Sequence, residues 1–411
     1  MSFQDSSLAA VETLTHLSSS HESESEFYLS TSALIQSKLY HQLTVNILQF
    51  TSTPSNFHSN IDIDGDGETS NFLQLYSILS NLKSKLNPLM LVRIAWNVSS
   101  IDDTKDILTA LIASEEIQAA PHAKLYAEAK FHLLQIHQHQ HALKIATTTA
   151  TGTNDFPKTT ATEIQAFLKE NTVTLQELAN STESEVASVH SSYYETAMEL
   201  YKIVGPAHLF YKHAIQFLHY SPLSTLTEQQ IKVLARDLSL AALVGEGVYN
   251  LGEIVYENEV LLNSLEGGEE GYLVELMRGA AEGKILSLAV YKDKLTQNGC
   301  DLRVIEEKIM LLVLIHMVFE KESGERSLKF GEIAKRLDVA LEQVEWVVMK
   351  ALSLGLIKGS MDQVEGVVEV TWVMPRVLDA SGVQSLSERF GEWSDNVKDT
   401  KGYIAEHVPA F

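Results

Sequence analysis

Apolar residues recur along most of this chain at the three- and four-residue spacings of a single helical face. Leu39, Leu43, Ile47 and Phe50 step in this way, which predicts a helix. A polar stretch at 51–67 interrupts the pattern. It resumes through Phe72, Leu75, Leu79, Leu82 and Leu86 until Pro88, which cannot continue a helix. Asp102 and Asp103 are suited to the start of the next helix, which carries Ile107, Leu108, Leu111 and Ile112. A long helix follows over 122–145, then a Thr-rich loop at 147–160. Tyr193, Ala197, Leu200 and Tyr201 precede Gly205-Pro206, and Phe210, Ala214, Phe217 and Leu218 follow it. This reads as an antiparallel helix pair with a short turn. Pairs recur roughly every 40 residues, and such faces need neighbours to bury them, as in a helical solenoid.

The periodicity changes near Ser327. A short alternating stretch, Ser327-Leu328-Lys329-Phe330, leads into a helix marked by Ile333, Ala334 and Leu337. A second helix carries Val344, Val347, Val348, Ala351 and Leu352 and stops at Gly355, where a left-handed residue is expected. Two β-like runs follow at 356–361 and 367–373, with Gly366 in the connection. Helix, helix and hairpin in this order make a winged helix. Trp346 and Trp372 are expected as its core anchors. The edge of the second run, with Val367, Glu369 and Thr371, is expected as a docking surface, because an unpaired strand offers its backbone to a neighbour. Beyond Pro375 a last helix carries Val383, Leu386, Phe390, Trp393 and Val397 in a narrow heptad-like seam. Such a seam suits packing among other helices, so these five residues are the candidate assembly interface.

The fold class is therefore mostly α: a TPR-like helical-repeat solenoid, a winged-helix module and a C-terminal helix. The expected organisation is a weakly ordered tail at 1–31, a repeat arm at 32–200, a module at 201–376 and an assembly helix at 377–411. Within the module, 201–322 is helical and 323–376 is the winged helix.

Charge narrows the partners. Lys and Arg number 31 against 54 Asp and Glu, a formal charge of −23 over 411 residues. Phosphate backbones and anionic lipid are bound through clustered cations, so proteins are the expected partners, with neither nucleic acid nor membrane. The winged helix repeats the argument locally. Arg326, Lys329, Lys335, Arg336, Lys350 and Lys358 are outnumbered by Glu332, Asp338, Glu342, Glu345, Asp362, Glu365 and Glu369. Its second helix opens with Glu342 and Glu345, where a base-reading helix needs Arg, Lys, Asn or Gln. A single cysteine, Cys300, permits no internal disulfide and lies in a predicted interhelical loop. The longest apolar run, 309–319, is broken by His316 and is short of a membrane span. No apolar core of a signal peptide opens the chain, and its first arginine is Arg93, unlike an Arg-rich transit peptide. A soluble intracellular protein is expected.

Catalytic and cofactor motifs are incomplete. Asp62, Asp64, Asp66 and Gly67 imitate the start of a calcium loop, but the twelfth position is Leu73, which cannot coordinate. His137, His139 and His141 alternate with Gln, and the Glu of a His-Glu-x-x-His helix is missing. Solvated polar residues are the better reading. Gly245-Glu246-Gly247 lacks both a third glycine and a preceding strand. No nucleophile is paired with a base, so neither an enzyme nor a cofactor is expected.

A helical arm, a non-basic winged helix and a final seam helix together resemble the PCI family. That family supplies scaffold subunits of the proteasome lid, the COP9 signalosome and the translation initiation complex. The resemblance covers roughly residues 32–407. It is carried by Lys38-Leu39-Tyr40-His41-Gln42-Leu43-Thr44, by Asn87-Pro88-Leu89, by Leu243-Val244-Gly245-Glu246-Gly247-Val248-Tyr249-Asn250, and most strongly by 348–362 with Thr371-Trp372-Val373 and Pro375-Arg376-Val377-Leu378. The resemblance implies a non-catalytic scaffold subunit of the proteasome regulatory particle lid, supporting ATP-dependent degradation of ubiquitinated proteins. It implies a hetero-oligomer with other PCI and MPN-type lid subunits, in the cytoplasm and nucleus. The alternatives are a scaffold of the signalosome or initiation complex, and, from another class, a winged-helix nucleic-acid binder.

Overall fold

The computed structural model describes residues 11–16, 18, 25–52, 76, 78–80, 82–97, 101–148, 156–179, 185–284, 290–321, 326–378 and 380–407. The Asp62–Gly67 motif, Phe72 and Leu75 lie outside them. The chain divides into two compact units, 1–205 with 216–221 and 206–215 with 222–411.

The first unit is all-helical among its described residues. Its elements are α1 (Ser25–Gln36), α2 (Tyr40–Ser52), α3 (Pro88–Trp96), α4 (Ile101–Ile112), α5 (Glu115–Gln118), α6 (Pro121–Thr148), α7 (Lys158–Glu170), α8 (Thr172–Ala179) and α9 (Val186–Ile203). Helix begins earlier than the expected tail at 1–31 allows. Residues 11–16 are helical with Leu14 fully buried, and α1 starts at Ser25 with Tyr28 and Thr31 buried. The ring of Phe27 stacks on Phe50 of α2 at 3.8 Å, an anchor that composition alone conceals. Pro88 both stops the preceding pattern and opens α3 at its first position, where the missing N–H costs nothing. The Asn87 side chain caps that helix by accepting from Leu89 N at 3.0 Å. Asp102 and Asp103 fall inside the first turn of α4, and α7 takes over the end of the expected Thr-rich loop.

Helix α6 is the centre of this unit and packs chiefly on α9, with α3 and α4 on its other sides. Buried Ala127, Ala129, Leu133 and Ile136 allow that close approach. Thr196 of α9 donates to the carbonyl of Ala129 at 2.9 Å, and buried Lys130 pairs with Glu195 at 2.6 Å. The ammonium of Lys130 also lies 4.5 Å from the Trp96 ring, so its charge is answered on two sides.

Helix α10 (Ala207–Tyr220) crosses the division between units. The second unit continues with α11 (Glu228–Val244), a π-helical turn (Glu253–Glu257), α12 (Glu259–Asn263), α13 (Gly271–Ala281), α14 (Lys292–Gln297) and α15 (Leu302–Glu320). The expected apolar run becomes α15, buried from Ile305 to Val318 on most sides by α11, α13 and the winged helix. Among the described residues no helix is long and apolar enough to cross a membrane. Cys300 lies between α14 and α15, half-buried.

The winged helix consists of β1 (Ser327–Lys329), α16 (Phe330–Leu337), α17 (Leu341–Ser353), β2 (Ile357–Asp362) and β3 (Val367–Val373), followed by α18 (Ala380–His407). Gly355 ends α17 with φ of +69°, as expected. The sheet order is β1-β3-β2, all antiparallel. Ser327 faces Glu369 on one side, and Asp362 faces Val367 on the other.

Candidate assembly surface

The sheet order overturns one expectation. The strand carrying Val367, Glu369 and Thr371 is central, not an edge. Its Val367–Glu369 half is paired on both sides, and Val370 N also donates to the carbonyl of Arg326 at 2.9 Å. The hydroxyl of Thr371 is spent on the carbonyl of Lys358 at 3.0 Å. The unpaired-edge argument does not hold for Val367 and Glu369, because the alternating stretch at 327–330 pairs with their strand, a pairing that the sequence does not show.

The tryptophans are a second correction. Trp372 faces Lys358 while Val370 faces Gly359, leaving Thr371 as an extra residue in β3. This bulge shifts the alternation by one. Val368, Val370 and Val373 are buried, and Trp372 turns out with 38% of its surface exposed. The close approach at the bulge requires Gly359, since a Cβ there would lie 1.9 Å from the Glu369 carbonyl oxygen. Trp346 is 50% exposed on α17, opposite buried Val344, Val347 and Val348. Each ring is covered by a lysine, Lys350 over Trp346 at 5.2 Å and Lys358 over Trp372 at 4.8 Å. Lys350 also pairs with Glu307 of α15.

The remaining candidates all lie on α18, a helix of 28 residues. Val383, Leu386, Phe390, Trp393 and Val397 are each between 42% and 65% exposed, so among the described residues nothing fully covers the seam. Tyr403 and Ile404 continue it. What fixes the direction of the helix is the segment before it. Met374 N donates to the Leu356 carbonyl at 2.8 Å, and Val377 N to Oδ1 of Asn250 at 3.0 Å. Arg376 lies 4.4 Å from the Phe319 ring and 2.9 Å from Nδ1 of His316. Gly252 allows this strap to pass, since a Cβ on it would meet Val377 at 2.9 Å. Asn250 is itself held by Glu253 in the π-helical turn, which also accepts from the Tyr211 hydroxyl at 2.9 Å. Burial and the Glu253 carboxylate both push the Tyr211 pKa up.

A buried lysine supports the same region and carries no signal in the sequence. Lys308 of α15 donates to the carbonyls of Ala242 and Gly245 at 2.6 and 2.7 Å. It closes the C-terminus of α11, where a helix favours positive charge. This is the structural role of Gly245-Glu246-Gly247, a helix terminus with no strand before it. Among the described residues no three His, Cys, Asp or Glu side chains gather as a metal would need. His137 and His139 are half-buried instead of fully solvated, and His139 packs edge-on to Phe156 at 4.8 Å.

A repeat region, a winged helix without a basic reading helix and a free terminal helix define the PCI class of scaffold. The sequence model described as "PCI domain" matches residues 291–372, and the one described as "PSD13 N-terminal repeats" matches 27–277. The chain belongs to the PSD13 family of PCI-domain proteins. It is 28% identical to the 26S proteasome non-ATPase regulatory subunit 13 of Dictyostelium discoideum, over 88% of both chains. It is 27% identical to homolog B of that subunit in Arabidopsis thaliana, over 98% of this chain and 99% of the relative. The 26S proteasome regulatory subunit RPN9 of Saccharomyces cerevisiae is 31% identical over 51% of this chain and 54% of its own.

Proposed function

We propose that this protein is a non-catalytic scaffold subunit of the proteasome regulatory particle lid, supporting ATP-dependent degradation of ubiquitinated proteins. The observation that carries the reading is the uncovered seam of α18 in a chain of this family. A helix of 28 residues with five large apolar side chains facing solvent is costly unless another surface buries them. Partners are other PCI and MPN-type lid subunits, met through Val383, Leu386, Phe390, Trp393 and Val397, with the cytoplasm and nucleus as the compartments. Glu342 at the start of α17, and the exposed apolar residues Leu341, Trp346 and Met349 on that helix, favour a protein partner there over a nucleic acid. The test is deletion of 380–411, followed by thermal unfolding of the chain alone and its incorporation into the lid. The expected result is a folded chain that fails to incorporate. Normal incorporation of the truncated chain, or its unfolding in isolation, would refute the reading.

A further inference from the structure

Three arginines that are far apart in sequence meet at one cleft of about 700 Å³. Arg326 enters β1, Arg376 lies in the strap after β3, and Arg389 projects from α18. Phe319, Phe390 and Trp393 supply the apolar wall. This clustering is unexpected in a chain of net charge −23. The nearby carboxylate of Glu320 is already engaged, by Arg336 at 3.1 Å and His316 at 3.2 Å. On α18, Glu388 and Asp395 lie about 160–200° around the helix from Leu386, away from the cleft, while Glu392 lies about 60° from Arg389 and makes no ion pair with it among the described residues. Among the described residues no carboxylate pairs with Arg326 or Arg389, and Nε of Arg326 is shielded from solvent without a hydrogen-bond partner. A shielded guanidinium N–H without an acceptor is costly, and the cost is removed when an acceptor arrives. Arg376 is held in place by the Phe319 ring and His316, so its planar fork is ordered in advance.

We propose that this cleft receives an acidic segment of the assembly partner, with carboxylates opposite Arg326 and Arg389 and apolar side chains against Phe390 and Trp393. The inference rests on the scaffold reading above and adds the chemistry of the partner. Guanidinium forks beside aromatic faces match paired carboxylates, and alternation of charge with apolar contact fixes the register of a docked segment. A polyanion is disfavoured because the acidic remainder of the surface repels an extended phosphate backbone.

The experiment uses the full chain, with Arg326→Gln, Arg389→Gln and, as a control at an exposed arginine in the first turn of α15, Arg303→Gln. The probe is a capped, fluorescently labelled peptide alternating glutamate and leucine, read by anisotropy. A matched glutamine-leucine peptide and an oligothymidylate run beside it. Arg389 is exposed, so its variant keeps the fold, and thermal melts verify all three. The expected result is binding of the glutamate peptide that weakens about tenfold in Arg326→Gln and Arg389→Gln, is unchanged in Arg303→Gln, and fades with added salt. Absence of binding, equal binding of the glutamine peptide, equal binding by the variants, or preference for the oligothymidylate would each overturn the proposal. Lid incorporation separates it from the reading beneath it. If Arg326→Gln and Arg389→Gln incorporate normally while a Phe390→Ala and Trp393→Ala chain does not, the acidic partner fails and the scaffold role stands. If all incorporate normally, both fail.

Discussion

The backbone N–H of Val377 donates to the side-chain oxygen of Asn250 at 3.0 Å, across 127 residues of chain. That bond joins the strap before α18 to the helical part of the same unit, so the direction of the exposed helix is set by a residue in a turn far upstream. Asn250→Ala removes it together with the bond to Glu253 at 2.9 Å. The expected cost is roughly 1–3 kcal/mol in denaturant unfolding, as for a half-buried polar pair losing one member. Incorporation should weaken as well, because α18 loses its fixed root. Unchanged unfolding and unchanged assembly together would show that the strap is held elsewhere.

Phe390 and Trp393 are 63% and 65% exposed. Replacing both with alanine should cost at least ~2 kcal/mol of association, more than thirtyfold in affinity, since aromatic anchors dominate interface energy. The melting temperature of the isolated chain should hardly move. A large drop in that temperature would place the two rings in the chain's own core.

Trp372 and Ile357 lie in the same sheet with opposite expected outcomes. Ile357 is 1% exposed, and its alanine variant should lose roughly 2–5 kcal/mol. Trp372→Ala should lose clearly less than that, because the ring turns outward, 38% exposed, with the Lys358 ammonium 4.8 Å from its centroid. Urea unfolding of the two variants side by side checks the bulge.

Lys308 gives the chain a pH signature. Burial depresses its pKa to about 7 from 10.5. The folded value lies below the unfolded one, so between these limits the unfolded state holds more protons, and stability rises with pH. Below pH 7 the charged ammonium opposes folding in full. Lys308→Met should remove this contribution, so the wild type should gain stability relative to the variant from about pH 7 towards 10. Parallel curves over that range would disprove the assignment. Lys308→Ala at neutral pH should cost roughly 1–3 kcal/mol, since it leaves two buried carbonyls without their donor.

Much of this protein is determined locally. Spacings of three and four residues in Leu43, Ile47, Leu200 and Val348, the proline at position 88 and the glycine at 355 set helices, their ends and their buried faces, because a helix selects its own period before it meets a neighbour. The order of helix, helix and hairpin, and the seam of α18, follow for the same reason. Tertiary structure alone decided the rest. Pairing with the short β1 put Val367, Glu369 and Thr371 in a central strand, and one extra residue at Thr371 turned Trp372 outward, against a pattern that read it as core. Lys308 reached the end of α11, and Arg326, Arg376 and Arg389 came to one cleft, only because folding joined segments that no sequence spacing relates. Period and caps act within a few residues, whereas strand neighbours, bulges and converging charges depend on which distant surfaces the folded chain brings into contact.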